Sequence, residues 1–335
     1  MTDITMEVNL PADPDDDVPR TIVVRQTAAD RAFRALLRSG GLAVFAIIGV
    51  IGAFLIAKAW SSFQRAGWGF FTTSTWLVNG VHFGIGSILP NGVLIALIAL
   101  IIAVPFAVMA ALFISEYAPY RLRRPLITLI DLMAAIPSIV YALWGSFFLE
   151  PEVVGFARWV TEHLGPVFPP FRIIGQESSI ALSASPFIAG LVVSLMVIPI
   201  ITSICREVFS QAPQGEREAA YALGASRWAM IRTVVLTYGR GGMIGAIMLG
   251  FGRAMGETIV VSLIISPVYT VNWHVFQTGG NSIPGLIALR YTEATPEMIS
   301  ALMAAGLVLF AFTLAVNALA GVIITRSRSG AVTAD

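Results

Sequence analysis

The chain has 335 residues, of which 56% are apolar and only 12% are charged, with a formal net charge of +1 and a mean hydropathy of +0.80. A soluble domain of this size would carry about twice that share of charged residues. The composition therefore excludes a soluble globular protein and indicates an integral membrane protein.

The N-terminal segment is polar. Its first 20 residues are acidic and contain proline, and they lack the basic and apolar regions of a signal peptide. Five arginines lie between residues 20 and 38, before the first apolar run. We interpret residues 1–39 as a cytoplasmic tail whose acidic first part is disordered.

Six stretches are apolar and long enough to cross a bilayer, which requires about 20 mostly apolar residues. Three prolines inside them, Pro105, Pro137 and Pro199, are interpreted as kinks rather than breaks, because neighbouring helices can satisfy the freed carbonyls. The predicted fold is an all-α membrane protein with six transmembrane helices, at residues 40–59, 91–114, 126–149, 180–205, 241–266 and 299–325.

The chain is accordingly divided into four parts. After the tail come the first transmembrane helix with its outer loop at 40–90, a main transmembrane domain at 91–325 and a short second tail at 326–335. A long polar loop at 206–238 interrupts the main domain between the fourth and fifth spans.

Arginine and lysine set the orientation, because they resist translocation whereas acidic residues have little effect. Of the 21 basic residues, 15 fall in the two tails and in the loops on the same side, five fall in the opposite loops, and Arg253 lies within a span. Both termini are therefore predicted to be cytoplasmic.

Several chemistries are excluded by the residues themselves. A P-loop requires a lysine that cradles phosphates, but the only lysine is Lys58, in IAKAW. The three histidines fall in three different outer loops and Cys205 is the single cysteine, so no metal site or disulfide is predicted. No nucleophile, base and metal constellation of a membrane enzyme is recognisable.

The loop between the fourth and fifth spans is amphipathic rather than lipid-like. It reads APQGEREAAYALGASRWAMIRTVVLTYGRGG. Pro213 suits a helix start, and Gly224 divides the segment into two arms joined by a tight turn. Such a helix, turn and helix projecting from a membrane domain suits docking into the groove of another protein.

The stretch EAAYALG, with Glu218, Ala219, Ala220 and Gly224 followed by Ala225, resembles the EAA loop of ATP-binding-cassette (ABC) importer permeases. In that family the short helix couples to a separate ATPase. The family pattern continues with Ile and then Leu-Pro, whereas this chain has Val234, Leu236 and Thr237, so the exit of the second arm departs from it.

Two further stretches, SEYAPYRLRRPLITLIDLMAAIPSIVYALWG at 115–145 and GRAMGETIVVSLII at 252–265, resemble the permeases of the bacterial phosphate importer, the PstC kind more than the PstA kind. The resemblance covers residues 90–325. It implies a type I importer permease of the MetI-like fold in the bacterial inner (plasma) membrane, which forms half of a phosphate path and has no catalytic site or cofactor of its own.

The resemblance also implies the partners of this subunit. A paralogous permease of the PstA kind would complete a heterodimer, and two cytoplasmic ATPases of the PstB kind would bind ATP and Mg²⁺. An extracytoplasmic phosphate-binding protein of the PstS kind would deliver the substrate.

Arg253 and Glu257 lie four residues apart inside the fifth predicted span. A charged residue at a helix centre costs about 2.5–3.5 kcal/mol on insertion scales, whereas an i, i+4 ion pair returns only about 0.2–0.5 kcal/mol in water. A guanidinium matches the oxygens of an oxyanion. We therefore expect Arg253 and Glu257 to face the protein interior beside the Gly252 and Gly256 strip and to line the substrate path; a structural ion pair is the alternative.

The third span offers weaker candidates. Asp131 is expected either to reach the interface or to pair with Arg123 or Arg124, and Pro137, Ser138 and Tyr141 either shape a polar path or serve ordinary packing.

Two other functions remain open. The anion could be molybdate or sulfate, or the chain could be an ion-coupled secondary transporter, which would leave the EAA-like loop without a purpose.

Overall fold

The computed structural model describes residues 6–7, 21–22, 27–77, 83–173 and 179–328. The chain divides into two units, 1–54 and 55–335. In the first, two short strands, β1 (Met6–Glu7) and β2 (Thr21–Ile22), pair in antiparallel fashion, and the first part of helix α1 follows. The predicted disorder of the acidic tail falls almost wholly outside the described residues.

The regular secondary structure of the second unit, in its described part, consists of helices joined by loops. Its α-helices, counted from α1, which begins in the first unit, are α1 (Ala28–Ala66), α2 (Gly69–Thr72), α3 (Ile88–Leu112), α4 (Tyr120–Ala135), α5 (Ser138–Trp144), α6 (Glu150–Leu164), α7 (Ser179–Leu182), α8 (Pro186–Ser210), α9 (Gln214–Ala222), α10 (Arg227–Met230), α11 (Leu236–Met255), α12 (Ile259–Ile264), α13 (Ile283–Arg290) and α14 (Pro296–Arg328).

Single π-helical turns extend three of these helices. They lie at Phe113–Tyr117 after α3, at Gly145–Leu149 between α5 and α6, and at Ile231–Val235 between α10 and α11. Counting these continuations, six helical stretches in the described chain are long and apolar enough to cross a membrane. The predicted all-α fold with six spans is confirmed.

Helices α3, α8 and α11 form the centre of the second unit. Helix α8 packs against α3, α4 and α11, and α11 also packs against α3 and α14. Fully buried alanines at Ala96, Ala99, Ala103 and Ala107 recur every three or four residues along α3 and so form one face of that helix. Small side chains on this face allow the backbones to approach closely, as is usual between membrane helices.

The third crossing is made by α4 and α5 together. At one end of the bundle, Arg123 near the start of α4 donates from Nη2 to the carbonyl of Ser115, just beyond α3, at 2.9 Å. At the other end, Glu150 Oε1 accepts from the amide of Ala184, just before α8, at 3.3 Å. Length and composition alone would assign this crossing to Ser138–Leu164, but these contacts assign it to residues 120–149.

The prediction that Pro137 only kinks this span is wrong. Helix α4 ends at Ala135, Ile136 is extended with ψ 128°, and a new helix begins at Ser138. The residue before a proline is pushed out of the α region by the proline ring, which explains the break. Pro105 and Pro199, in contrast, lie inside α3 and α8 as predicted.

The close contact of α3 with α8 depends on Gly190. A Cβ atom at this position would lie 2.6 Å from Ile98 Cγ2 and 3.2 Å from the carbonyl of Ile95. At Gly245 of α11 the nearest atom would be 4.0 Å away. The two positions therefore offer a matched pair, since both glycines are in membrane helices.

We predict that Gly190→Ala destabilises the protein by about 1–3 kcal/mol, because the added methyl group overpacks the interface of α3 and α8. Gly245→Ala should be neutral or stabilising, since alanine is the better helix former. Thermal unfolding in detergent measures both. Equal melting temperatures for the two variants would contradict the close packing at Gly190.

Candidate functional site

The fifth crossing is interrupted between the middle and one end of the bundle. Gly250 of α11 packs against Val197 and Ile201, which lie near the middle of the 25-residue helix α8. One turn later, α11 ends at Met255, and α12 starts only at Ile259. Three residues between them, 256–258, are therefore non-helical at a depth where backbone is normally helical.

Arg253 and Glu257 lie on the two sides of this interruption. The Arg253 Nη2 atom is 3.8 Å from Glu257 Oε2, and the side chains are 49% and 5% exposed, respectively. Glu257 Oε1 accepts a hydrogen bond from the amide of Val260 at 3.3 Å. The buried carboxylate thus satisfies the first turn of α12 and also holds the arginine at the edge of ion-pair distance.

One detail of the prediction for this pair is wrong: Glu257 does not continue the helix of Arg253, because α11 ends before it. Arg253 is half exposed in this single chain, and its place on a substrate path stays a prediction. The expected glycine strip is also displaced: a Cβ at Gly252 would contact nothing within 4 Å, and α8 is instead contacted by Gly239, Gly242 and Gly250. The four-residue spacing of Arg253 and Glu257 predicts one continuous helix, but the helix ends at Gly256.

The break at Pro137 lies in a neighbouring segment. Helix α12 packs against α5, so the segments that follow the two interruptions are side by side. The hydroxyl of Tyr141 donates to the carbonyl of Met133 at 2.9 Å, which bridges the break from α5 back to α4. Ser138 is the first residue of α5. The structure thus brings together the segments of Pro137, Ser138, Tyr141 and Glu257.

Asp131 is separate from this group. It is exposed on α4, and within the described chain it makes no ion pair with Arg123 or Arg124, since Arg123 binds the Ser115 carbonyl instead. The expected pairing is therefore not formed. Among the described residues no three histidine, cysteine or acidic side chains are placed to hold a metal ion, and His82 lies outside them.

The EAA-like loop forms the two predicted arms. The first arm is α9, with Pro213 at its N-cap, and the second begins with α10, whose Ser226 side chain accepts from the Ala229 amide at 3.2 Å. At the turn, Ala225 donates to the Ala220 carbonyl at 3.0 Å and Gly224 to that of Tyr221 at 2.9 Å. This is a Schellman cap, and Gly224 has the positive φ (82°) that it requires.

The face of α9 that points away from the bundle is free in this chain. Glu218 and Ala219 are exposed, and Leu223 at the turn is 90% exposed. Ala220 instead packs against the core. The arrangement presents an apolar tip on a short rigid helix, with the EAA-like residues divided between the outward face and the contact with the bundle.

Sequence reasoning missed the residues that hold this loop. Arg217 of α9 forms an ion pair with Glu116 in the π-turn after α3, with Nη1 2.8 Å from Oε2. Arg227 of α10 lies over the ring of Tyr117, with its Cζ atom 4.5 Å from the centroid. An acid near the end of the apolar run of α3 was a possible signal for Glu116, but its partner lies 101 residues away.

We predict that Arg253 faces water. Leaving an arginine in hydrocarbon would cost about 2.5–3.5 kcal/mol, and the half of its surface that this chain leaves open must therefore meet water or protein. A charged, water-soluble thiol reagent should label Arg253→Cys in reconstituted vesicles but not the buried control Ala254→Cys. Native Cys205 is fully buried and should give no background. Absence of labelling at position 253 would contradict the expectation.

Comparisons with known proteins agree with this architecture. The family model described as binding-protein-dependent transport system inner membrane component matches residues 103–329, more than half of the chain. A solved bacterial ABC transporter involved in the import of the acidic polysaccharide alginate aligns over 88% of this chain and 99% of its own, with a TM-score of 0.52 and 17% identity. That likeness shows a shared fold.

Curated relatives are more similar in sequence. The phosphate transport system permease protein PstC 2 of Mycobacterium tuberculosis is 38% identical over 298 residues, covering 87% of this chain and 90% of that protein. The phosphate transport system permease protein PstC of Pasteurella multocida is 37% identical over 301 residues, covering 88% and 91%. The chain therefore belongs to the inner membrane components of binding-protein-dependent transport systems, and within them to the PstC permease family.

Proposed function

We propose that this chain is a permease subunit of an ATP-driven importer of inorganic phosphate and forms half of the translocation path. The substrate is taken from the printed names of relatives that align over nearly 90% of the chain. The observation within this molecule that carries the proposal is the interrupted fifth crossing, which holds a half-exposed arginine beside a buried glutamate.

Interrupted membrane helices are a common way to build a substrate site, because non-helical backbone at membrane depth is tolerated where it is buried in protein or lines a cavity. Apart from the long contact with Glu257, the guanidinium of Arg253 makes no hydrogen bond within the described chain. Its donors are therefore free for an oxyanion. An arginine stays charged throughout and presents a planar fork that matches phosphate oxygens.

Glu257 gives this site a means of release. Its carboxylate is held by the Val260 amide, so it stays near Arg253 whether or not an anion is present. When the site is empty it partly neutralises the arginine, and when phosphate arrives it competes with it. A carrier must release what it binds, and a permanent unpaired cation would instead trap the anion.

The energy source lies outside this chain in the proposal. The exposed tip of α9, which ends at the turn of Gly224, would dock onto a separate ATPase subunit. Glu218, Ala219 and Ala225 would lie near this contact, whereas Ala220 packs against the bundle. Binding and hydrolysis of ATP with Mg²⁺ would occur on two ATPase copies. A paralogous permease would form the other half of the water-filled path beside Arg253, and an external binding protein would supply phosphate.

The same arrangement supports the predicted orientation of the chain. The arginine-rich loops and the EAA-like loop share one end of the bundle, where Arg217 meets the ends of α3 and α8. We place this end and both chain termini in the cytoplasm, in accordance with the excess of positive charge there.

The direct test is uptake of radiolabelled phosphate by vesicles that contain this chain with its partner permease, ATPase and binding protein. We expect uptake that requires ATP and the ATPase and that resists excess sulfate and molybdate. Competition by either anion would instead assign another oxyanion, and uptake by this chain without the ATPase would indicate a secondary transporter.

We predict that Arg253→Gln reduces phosphate uptake about a hundredfold, because the loss of a charge-assisted, forked contact costs several kcal/mol. Arg253→Lys should recover only part of the rate, since an ammonium group lacks the fork. Co-purification of the ATPase measures assembly and should be unchanged in both. Normal uptake by Arg253→Gln would assign the pair to helix packing alone.

A further inference from the structure

The two arms of the EAA-like loop contact two consecutive residues at the end of α3. Arg217 on the first arm forms the ion pair with Glu116, and Arg227 on the second arm lies over the ring of Tyr117. Glu116 and Tyr117 are consecutive and occupy the π-turn that ends α3. Such turns are frequent at functional sites. A movement of either arm therefore acts on one point of one helix.

The contact through Arg217 is the stronger of the two. Besides the 2.8 Å contact with Glu116, Arg217 donates from Nη2 to the Phe209 carbonyl at 2.7 Å and from Nε to the Ala212 carbonyl at 3.2 Å. A single guanidinium thus joins α9, the end of α8 and the end of α3. Because the guanidinium bonds three separate acceptors, it fixes where α9 lies relative to the ends of both α8 and α3.

The ion pair is buried, which makes it rigid. The side chains of Glu116 and Arg217 are only 4% and 15% exposed, and Glu116 Oε1 has no hydrogen-bond partner within the described chain. Removing one member of a buried pair leaves an uncompensated charge, which is strongly unfavourable. The two residues are therefore expected to move together rather than to separate when the loop is displaced.

The other end of α3 holds a second segment. Asn91 in its first turn is buried; its Nδ2 donates to the Thr270 carbonyl, and its Oδ1 accepts from the Asn272 amide, both at 3.0 Å. Asn272 in turn donates to the carbonyls of Gln277 and Gly279. Residues 270–279 follow α12 and lie at the end of the bundle opposite the loop. Helix α3 is thus fastened at both ends.

We propose that Glu116 and Arg217 are the positioning pair through which displacement of the EAA-like loop moves α3, and that Asn91 passes this motion to the segment at 270–279. The inference rests on the proposed function, since it assumes that an ATPase moves the loop. Helix α3 spans about 37 Å at 1.5 Å per residue, and its alanine face packs against α8. Helix α8 also contacts both segments, but only through its backbone, at the Phe209 carbonyl and the Phe187 amide. Among the described helices, α3 with its terminal π-turn is the one that bonds both segments through its own side chains, Glu116 and Asn91.

A purely structural role for the pair is distinguishable from this one. Loss of a structural contact lowers the amount of folded complex, but the complexes that form still couple hydrolysis to transport. Loss of a transmitting contact leaves assembled complexes that hydrolyse ATP without moving phosphate. The decisive quantity is therefore the ratio of phosphate transported to ATP hydrolysed, measured for each assembled complex.

The experiment reconstitutes the full complex in vesicles and measures this ratio for Glu116→Gln, Arg217→Gln, the double variant and Asn91→Leu. We expect each single change to lower the ratio about tenfold, and the double variant to be no worse than Arg217→Gln, because residues that act as one unit are non-additive. Arg217→Lys should restore part of the ratio. Arg124→Gln, at an exposed position of α4, serves as the control and should match the wild type.

The outcomes separate the two proposals. If the wild-type complex does not take up phosphate, the proposed function fails. If it does and Glu116→Gln or Arg217→Gln keeps the wild-type ratio, or if the losses multiply in the double variant, the transmission proposal is overturned. Should Arg217→Gln fail to assemble, Arg217→Lys and Glu116→Gln decide the matter by the same ratio.

Discussion

Backbone hydrogen bonding in hydrocarbon is the constraint on which the rest of this structure depends. Every amide and carbonyl at membrane depth needs a partner within the protein, which makes the crossings helical and makes any interruption costly. Two crossings are interrupted in the part of the chain that the structure describes, and at each a side chain bonds backbone across or beside the gap. Tyr141 donates to the Met133 carbonyl, and Glu257 accepts from the Val260 amide.

The same constraint explains why Glu257 is charged yet buried. The Glu257 carboxylate loses hydrogen bonds to water on burial but accepts one from the Val260 amide in the first turn of α12. The nearby Arg253 guanidinium compensates part of its charge. The interrupted helix, the acid and the arginine therefore depend on one another. The close approach of α11 to α8 through Gly250 then fixes the position of this group relative to α8 and leaves Arg253 on the side that the chain itself does not cover.

The two ends of the molecule are connected by residues of a different kind. Helix α3 is apolar along most of its length, but its first turn and its terminal π-turn carry Asn91 and Glu116, both buried and both bonded to distant parts of the chain. Buried polar contacts of this type specify one geometry, because a shifted partner would leave an unsatisfied group. They give a helix with an otherwise uniform surface a fixed axial position.

Much of the fold could be predicted from local sequence. Apolar runs predicted the six crossings, and Pro213 and Gly224 predicted the two arms of the loop, because length, helix starts and positive φ are properties of short segments. The errors at Pro137 and Gly256 have one physical origin. Whether a proline or glycine bends a membrane helix or ends it depends on whether a side chain elsewhere satisfies the freed backbone groups, and that side chain is not identified by the local pattern.

Local sequence was enough to predict that this chain spans a membrane, that a charged pair lies in the fifth crossing and that a capped helix projects from the loop before it. The environment of each charge depends instead on how the helices pack: Arg253 is half exposed, Glu257 is buried, and Glu116 pairs with Arg217 across 101 residues. The reason is that hydropathy and helix capping depend only on residues that are close together in the sequence. The state of a buried charge, in contrast, is set by whichever groups the packing of helices brings within about 4 Å of it.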